Sequence, residues 1–197
     1  MTDVAPIGRR DMLVRLAGTA IAFTGLTAFK RFTPIIGVPK WDDRYEVAVD
    51  LQVAAQAGGR WHRPYVAVWV EDAAGKPVRT LSLWVATTGK GPRYFKELRR
   101  WFRIANDIQE ASGPDLVATV SSATRLPGQY SVTWNGRDDR GAVVEQGTYR
   151  VVIEANREHG TYQLMQQDVT VGAKPSAMDI TGNEEIARAR VEYRLRK

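Results

Sequence analysis

The sequence predicts a mainly β protein: an immunoglobulin/fibronectin-like antiparallel β-sandwich with one short inserted amphipathic helix, preceded by a single N-terminal transmembrane helix. Three observations support this prediction. Apolar and polar residues alternate over several short segments, and the side chains of a strand point to opposite faces with period two. Residues that favour turns separate these segments. An uncharged stretch lies near the N-terminus of the 197-residue chain.

The N-terminal segment has the composition of a membrane anchor. Leu16 to Phe29 carries no charge. Extended to residue 12 it gives a helix of roughly 27 Å, close to the ~30 Å of a bilayer core, provided that the side chain of Arg15 reaches the headgroups. We therefore expect a cytoplasmic n-region at residues 1–11, a transmembrane signal-anchor helix at residues 12–30 and a linker at residues 31–43.

Two arginines, Arg9 and Arg10, directly precede the uncharged stretch. They resemble the twin-arginine export signal of bacteria, in which an arginine pair stands before a short hydrophobic region. This resemblance implies a single-pass protein of the bacterial inner membrane, with its N-terminus cytoplasmic and its C-terminal domain periplasmic. A cleaved signal is the alternative. The best cleavage candidate, Leu26-Thr27-Ala28, has a large residue where a small one is preferred, so we expect the anchor to be retained.

Period-two alternation identifies the first strands of the body, residues 44–197. The first strand is predicted over residues 47–53, where valine and leucine occupy every second position. Residues 64–71 predict a second strand with apolar side chains on both faces, which is typical of a strand in the middle of a covered sheet. A turn at residues 72–77 joins it to a third strand at residues 78–86.

Two aromatic residues, Trp41 and Tyr45, stand just before the first strand. Amphipathic aromatic side chains are common at the membrane interface. They are equally suited to packing beneath the first strand, and the sequence leaves both interpretations open.

One segment follows helical spacing. Apolar residues recur every three or four positions after Pro92, which suits a helix start: Tyr94, Phe95, Leu98, Trp101 and Phe102. Cations fill the intervening positions: Arg93, Lys96, Arg99, Arg100 and Arg103. These cations are either a solvated face above a core-packing stripe or a docking surface for carboxylates or lipid phosphates. In the second interpretation, Trp84 and Trp101 add an apolar centre.

The second half of the body also alternates with period two. Residues 130–134 and 148–154 predict two half-buried antiparallel strands that form a hairpin, with Asn135-Gly136 and Arg140-Gly141 providing positive-φ positions. Further predictions are a short strand at residues 115–121, a strand at 162–171, a loop at 172–183 and a closing strand at 187–195. The closing strand carries a second basic row, which protects an edge strand from unwanted pairing: Arg188, Arg190, Arg194 and Arg196.

Composition limits the chemistry. The chain has no cysteine, which excludes disulfides, thiolate metal sites and thiol nucleophiles. Its net charge of +6 suits an acidic partner, anionic lipid headgroups or simple solubility, and no nucleic-acid recognition motif accompanies that charge. His62 and His159 lie on different predicted turns without a second ligand at usable spacing. We therefore expect no catalytic residue, no cofactor and no metal.

Two resemblances extend this interpretation. The run Trp134–Asp139 followed by Gly147–Tyr149 resembles the immunoglobulin-like domain of flagellar hook-capping proteins. Residues from about Arg63 onwards resemble an uncharacterised bacterial periplasmic family, whose shared segments here are Pro64–Asp72, Lys96–Trp101, Ser121–Gly128 and Glu154–Gly160. Members of that family are found beside flavin transferases and PepSY-type membrane proteins, which implies periplasmic electron transfer as a context.

The functional prediction is a non-catalytic, membrane-anchored accessory subunit of an inner-membrane electron-transfer complex, respiratory or photosynthetic. Its expected partners are subunits of that complex and anionic lipid headgroups. The candidate docking residues are Arg93, Lys96, Arg99, Arg100, Trp101, Arg103, Arg188 and Arg190. The alternative is a soluble periplasmic binding or maturation factor for a flavin or metal cofactor. The third alternative is an enzyme whose catalytic residues, distant from one another in the sequence, meet in a pocket.

Overall fold

The computed structural model describes residues 37–55, 62–111, 113–158 and 160–197. The predicted n-region, the predicted transmembrane helix and the first residues of the predicted linker lie outside the described residues. Among the helices of the described ranges, none has the length and apolar character needed to cross a membrane.

Strands dominate the described part of the chain. In chain order they are β1 (Tyr45–Val53), β2 (Tyr65–Asp72), β3 (Pro77–Trp84), β4 (Ser121–Ser122), β5 (Gly128–Trp134), β6 (Gly147–Asn156), β7 (Tyr162–Val171), β8 (Ser176–Thr181) and β9 (Ile186–Leu195). They form a four-stranded sheet in the order β5-β1-β9-β8 and a five-stranded sheet in the order β4-β3-β2-β6-β7. All pairings are antiparallel except that of β3 with β4. The predicted mainly β, sandwich-like architecture is confirmed.

The main core lies between the two sheets. Alternate residues of β1 and β2 fill it, and Val47, Val49, Val66 and Val68 are fully buried. Trp41 also belongs to this core, with its ring centroid 4.9 Å from that of Trp134. Of the two interpretations of Trp41, packing beneath the first strand is therefore confirmed.

A helical layer covers the outer face of the five-stranded sheet. It consists of a 3₁₀ helix (Gly91–Glu97), α1 (Arg99–Glu110) and the short α2 (Leu116–Val120). Trp69 of β2 and Trp101 of α1 are buried in a second apolar cluster between the sheet and the helices. Because this cluster covers one face of β2 and the main core the other, β2 is buried on both faces, as its sequence predicts.

The predicted hairpin of residues 130–154 is wrong. β5 pairs with β1, whereas β6 pairs with β2 and β7, so the segment between β5 and β6 crosses from one sheet to the other. Trp134 and Tyr149 meet as side chains in the core, with ring centroids 4.9 Å apart. The positive φ predicted at Gly136 and Gly141 is confirmed, at 73° and 84°.

Four smaller predictions also need correction. The predicted helix is broken at Leu98, where a ψ of 70° separates the 3₁₀ helix from α1. The short strand predicted at residues 115–121 is α2, because Asp115 accepts a hydrogen bond from the backbone N–H of Ala118 and caps a helical turn. The predicted loop at 172–183 contains β8. Finally, β9 lies between β1 and β8 and is not an edge strand.

Candidate functional site

A buried carboxylate from the sheet caps the N-terminus of α1. The side chain of Glu154, on β6, is fully buried and accepts hydrogen bonds from the backbone N–H groups of Arg100 (2.9 Å) and Trp101 (2.8 Å). The first N–H groups of a helix lack partners within the helix, and the positive end of the helix dipole attracts an anion. The residue at the N-cap, Leu98, offers no side-chain acceptor. The sheet therefore supplies the cap that the helix lacks.

A second buried carboxylate holds a cation of the same helix. Glu71, on β2, is fully buried, and its two oxygens lie 2.9 Å and 2.7 Å from Nη2 of Arg100. The indole Nε1 of Trp69 donates a further hydrogen bond to Glu71 at 2.8 Å. A buried charge is tolerated when it is paired and hydrogen-bonded. Glu71 and Glu154 thus fix the first turn of α1 at two points.

Two of the predicted docking residues point inward. Trp101 is fully buried and its indole Nε1 donates to Oγ1 of Thr80. The guanidinium of Arg100 is occupied by Glu71. Trp101 packs against the sheet, so its prediction as a partner contact is corrected, whereas Arg100, whose side chain is 31% exposed, is held by Glu71 of the same chain.

The remaining four cations are all exposed, Arg93 and Lys96 on the 3₁₀ helix and Arg99 and Arg103 on α1, and we call this set the basic helical face. Within the described ranges, none of the four makes an ion pair. The guanidinium of Arg99 lies 4.8 Å from the ring centroid of Tyr162, on β7. Burial, followed by a hydrogen bond with Glu154, raises the pKa of Tyr162 to about 12. Tyr162 is therefore neutral beside Arg99 at physiological pH.

An exposed apolar residue borders the basic helical face. Leu164 follows Tyr162 on β7, is 37% exposed, and pairs directly across from Glu154 in the sheet. It therefore lies beside the first turn of α1. The surface combines cations, a tyrosine and an exposed leucine.

The second predicted basic row lies on the opposite side of the sandwich. On the outer face of the four-stranded sheet, Arg190 pairs with Asp179 of β8 at 3.1 Å, and Arg194 pairs with Glu46 and Glu192 at 3.0 Å. Arg188 lines a groove of about 600 Å³ on this face, together with Asp50. The structure does not bring the two basic rows together, and neighbouring carboxylates neutralise much of the second one.

The two buried glutamates were not predicted from the sequence. A signal for each is present, since Glu71 follows the six apolar residues Tyr65–Val70 and Glu154 follows the three apolar residues Val151–Ile153, both on central strands. Only the placement of α1 above them reveals their purpose. Among the described residues, no group of three or more histidine, aspartate or glutamate side chains is arranged to hold a metal ion. His159 lies outside the described residues.

A family model described as "Predicted periplasmic protein (DUF2271)" matches residues 46–188. The match begins in β1 and ends in β9, so it includes both sheets and the helical layer. No curated protein and no solved structure matches the chain.

Proposed function

This chain belongs to the DUF2271 family of predicted periplasmic proteins, and from that premise we propose that it is a non-catalytic docking subunit, anchored at the periplasmic side of the bacterial inner membrane. Its host in this proposal is an electron-transfer complex, respiratory or photosynthetic. The immunoglobulin-like character of the sandwich belongs to the same proposal, since such domains commonly present binding surfaces on a rigid β scaffold.

The observation that carries the proposal is the basic helical face and the way it is held. Two fully buried glutamates fix the first turn of α1, which carries Arg99, and Arg103 follows one turn later. A surface that is ordered before binding loses less conformational entropy on docking. Arginine predominates among the four cations, and its planar fork matches carboxylates bidentately.

The chemistry of the surface favours an acidic protein as the partner. Aromatic and arginine side chains are enriched at protein–protein interfaces, and here Arg99 lies over Tyr162, with the exposed Leu164 next along β7. The cations steer an acidic patch towards the face. The tyrosine and the leucine then supply apolar contact at its border.

Charge reversal of the basic helical face tests the proposal. The full-length chain carrying Arg93→Glu, Lys96→Glu, Arg99→Glu and Arg103→Glu is purified from native membranes under gentle solubilisation, and co-purifying proteins are identified. The control reverses four exposed cations elsewhere, Lys76, Arg140, Lys174 and Lys197, and so has the same net charge. We expect the wild type and the control to retain the same partner and the helical variant to lose it.

Three results would count against this function. The first is equal partner recovery with both variants, which would place the contact elsewhere. The second is a lone monomer from the wild type. The third is binding to anionic vesicles that the helical variant alone loses, without any protein partner, since the ligand would then be lipid. An intact mass that corresponds to a cleaved N-terminus would favour the soluble periplasmic factor.

A further inference from the structure

A cleft lies at the end of the five-stranded sheet where β2 begins and β6 ends. It has a volume of about 320 Å³ and is lined by His62, Arg63, Tyr65, Ala86, Thr124 and Glu158. These residues come from four separate parts of the chain. The segment around Trp41 lies at the other end of β6, where the backbone N–H of Trp41 donates a hydrogen bond to the carbonyl oxygen of Val144. The ten residues of β6 span roughly 30 Å at 3.3 Å per residue. The cleft is thus well separated from that end.

The polar groups of the cleft are held in place by one another. The hydroxyl of Tyr94, on the 3₁₀ helix, donates to Oε1 of Glu158 at 2.5 Å, and Nδ1 of His62 lies 3.8 Å from Oε2. The ring of Tyr94 also stacks on that of Tyr65, with centroids 6.0 Å apart and planes 24° apart. The helical layer therefore orients both Glu158 and Tyr65.

One polar group in the cleft has no hydrogen-bond partner among the described residues. Tyr65 as a whole residue is 9% exposed and lines the cleft, and its hydroxyl makes no hydrogen bond to any other described residue. A hydroxyl at the wall of a cleft can bond to a ligand as donor and as acceptor. Burial and the nearby Glu158 raise the pKa of Tyr65, so this hydroxyl stays protonated at neutral pH and both donates and accepts. It is suited to a ligand group that does the same.

The charges of the cleft select against ionic ligands. Arg63 and Glu158 line the same cleft with opposite charges, so an anion attracted by the first is repelled by the second, and the reverse holds for a cation. A neutral ligand meets neither penalty. Arginine offers only donors and a carboxylate only acceptors, whereas the hydroxyls of Thr124 and Tyr65 offer both. Neighbouring hydroxyl groups on a ligand match such a mixed set.

We propose that this cleft binds a neutral, polyhydroxylated molecule of about the size of one sugar ring. The planar end of Arg63 suits a pair of adjacent hydroxyls, the hydroxyls of Tyr65 and Thr124 offer further hydrogen bonds, and Ala86 and the tyrosine ring offer apolar contact to the C–H groups of such a ring. The volume lies at the small end of the range of ligand pockets. This site goes beyond the docking function and does not depend on it.

Saturation-transfer NMR on the full-length protein tests the site, in a detergent whose headgroup contains no sugar. The probes are glucose, galactose and N-acetylglucosamine. We expect saturation transfer to the ring protons of at least one probe. The single variants Tyr65→Phe and Arg63→Gln should each weaken its binding by about five- to tenfold, as expected for one lost hydrogen bond. Tyr45→Phe and Arg140→Gln, at the other end of the sandwich, serve as matched controls and should leave binding unchanged.

Four outcomes would overturn the assignment. They are no saturation transfer to any of the three probes, binding as tight as that of the wild type in both Tyr65→Phe and Arg63→Gln, loss of binding in the control variants, and displacement of the bound sugar by inorganic phosphate. The last outcome would make the cleft an anion site. Arg63 is exposed, so its variant keeps the test valid if Tyr65→Phe fails to fold.

Discussion

Gly136 lies so close to the indole of Trp41 that no side chain fits between them. A Cβ built on Gly136 would stand 2.1 Å from Cδ2 of Trp41, and the backbone at Gly136 has a φ of 73°. Gly136 lies in the segment that crosses between the sheets, whereas Trp41 belongs to the segment that leads into β1. This contact packs the segment that leads into β1 against the segment that connects β5 to β6.

Replacing Gly136 should therefore destabilise the body strongly. We expect Gly136→Ala to lower the free energy of unfolding by about 2–4 kcal/mol, because the left-handed backbone and the overpacked indole both oppose a methyl group. Urea denaturation followed by tryptophan fluorescence measures the effect. Gly141→Ala is the control: its φ is 84° with no atom within 4 Å, so it should cost only about 1 kcal/mol. Equal losses in the two variants would show that the Trp41 contact is unimportant.

Removing the charge of Glu154 should loosen α1. Glu154→Gln keeps the shape of the side chain but turns one of its two acceptor oxygens into a donor that faces a helix N–H group. We expect a loss of about 2–3 kcal/mol in unfolding free energy, as for other hydrogen bonds to charged groups, and faster amide exchange at Arg100 and Trp101. Glu145→Gln removes only an exposed pair with Lys40 and should change stability by less than about 1 kcal/mol. Unchanged exchange in Glu154→Gln would contradict the capping role.

Removing the charge of Arg100 should destabilise the fold, because it leaves the carboxylate of Glu71 buried without its cation. In Arg100→Met, Glu71 keeps its bond from Trp69 but loses the guanidinium, and we expect a loss of about 3 kcal/mol in chemical denaturation. Arg103→Met, on the exposed side of the same helix, should stay within about 0.5 kcal/mol of the wild type. The double variant Glu71→Gln with Arg100→Met should recover part of the loss. Equal losses of unfolding free energy in Arg103→Met and Arg100→Met would show that the ion pair with Glu71 does not account for the destabilisation.

Alkaline pH should weaken the fold partly through Tyr162. The pKa of Tyr162 is raised to about 12, first by burial and then by its hydrogen bond with Glu154. Because the unfolded chain gives up this proton near pH 10 and the folded protein near pH 12, the contribution of Tyr162 to stability is fully present below about pH 10 and is lost as the pH rises towards 12. The urea midpoint should fall over this range, and less steeply in Tyr162→Phe. Part of the fall remains, since the pKa values of Tyr65, Tyr94 and Tyr149 are also raised. An identical pH profile for the variant would exclude this role of Tyr162.

Several elements were predictable because their signal is local. The alternation of residues 47–53 and 64–71 gives β1 and β2 nearly to the residue, since a strand that packs on a core needs one apolar face. The doubly apolar β2 is central in its sheet for the same reason. The basic helical face follows from helical spacing, although the break at Leu98 does not.

Strand pairing was not predictable in the same way. Alternation states that a segment is a strand but does not state which strand lies beside it, because an apolar face is buried equally well by any partner. The hairpin prediction for β5 and β6 failed on this point, since each found its partners elsewhere. β8 was missed because four of its six positions are polar or small and none is fully buried, so its pairing with β9, not a buried face, defines it.

By itself, the sequence determined which short segments are extended, where a helix must interrupt them and where the cations gather. Only the tertiary structure decided which cations face outward. Arg100 and Arg103 are one helical turn apart and chemically identical, yet one is held by Glu71 and the other lies in solvent. The difference arises because a central strand brings a buried carboxylate beneath the helix, 29 residues away in the chain from Arg100, and local periodicity contains no information about such a contact.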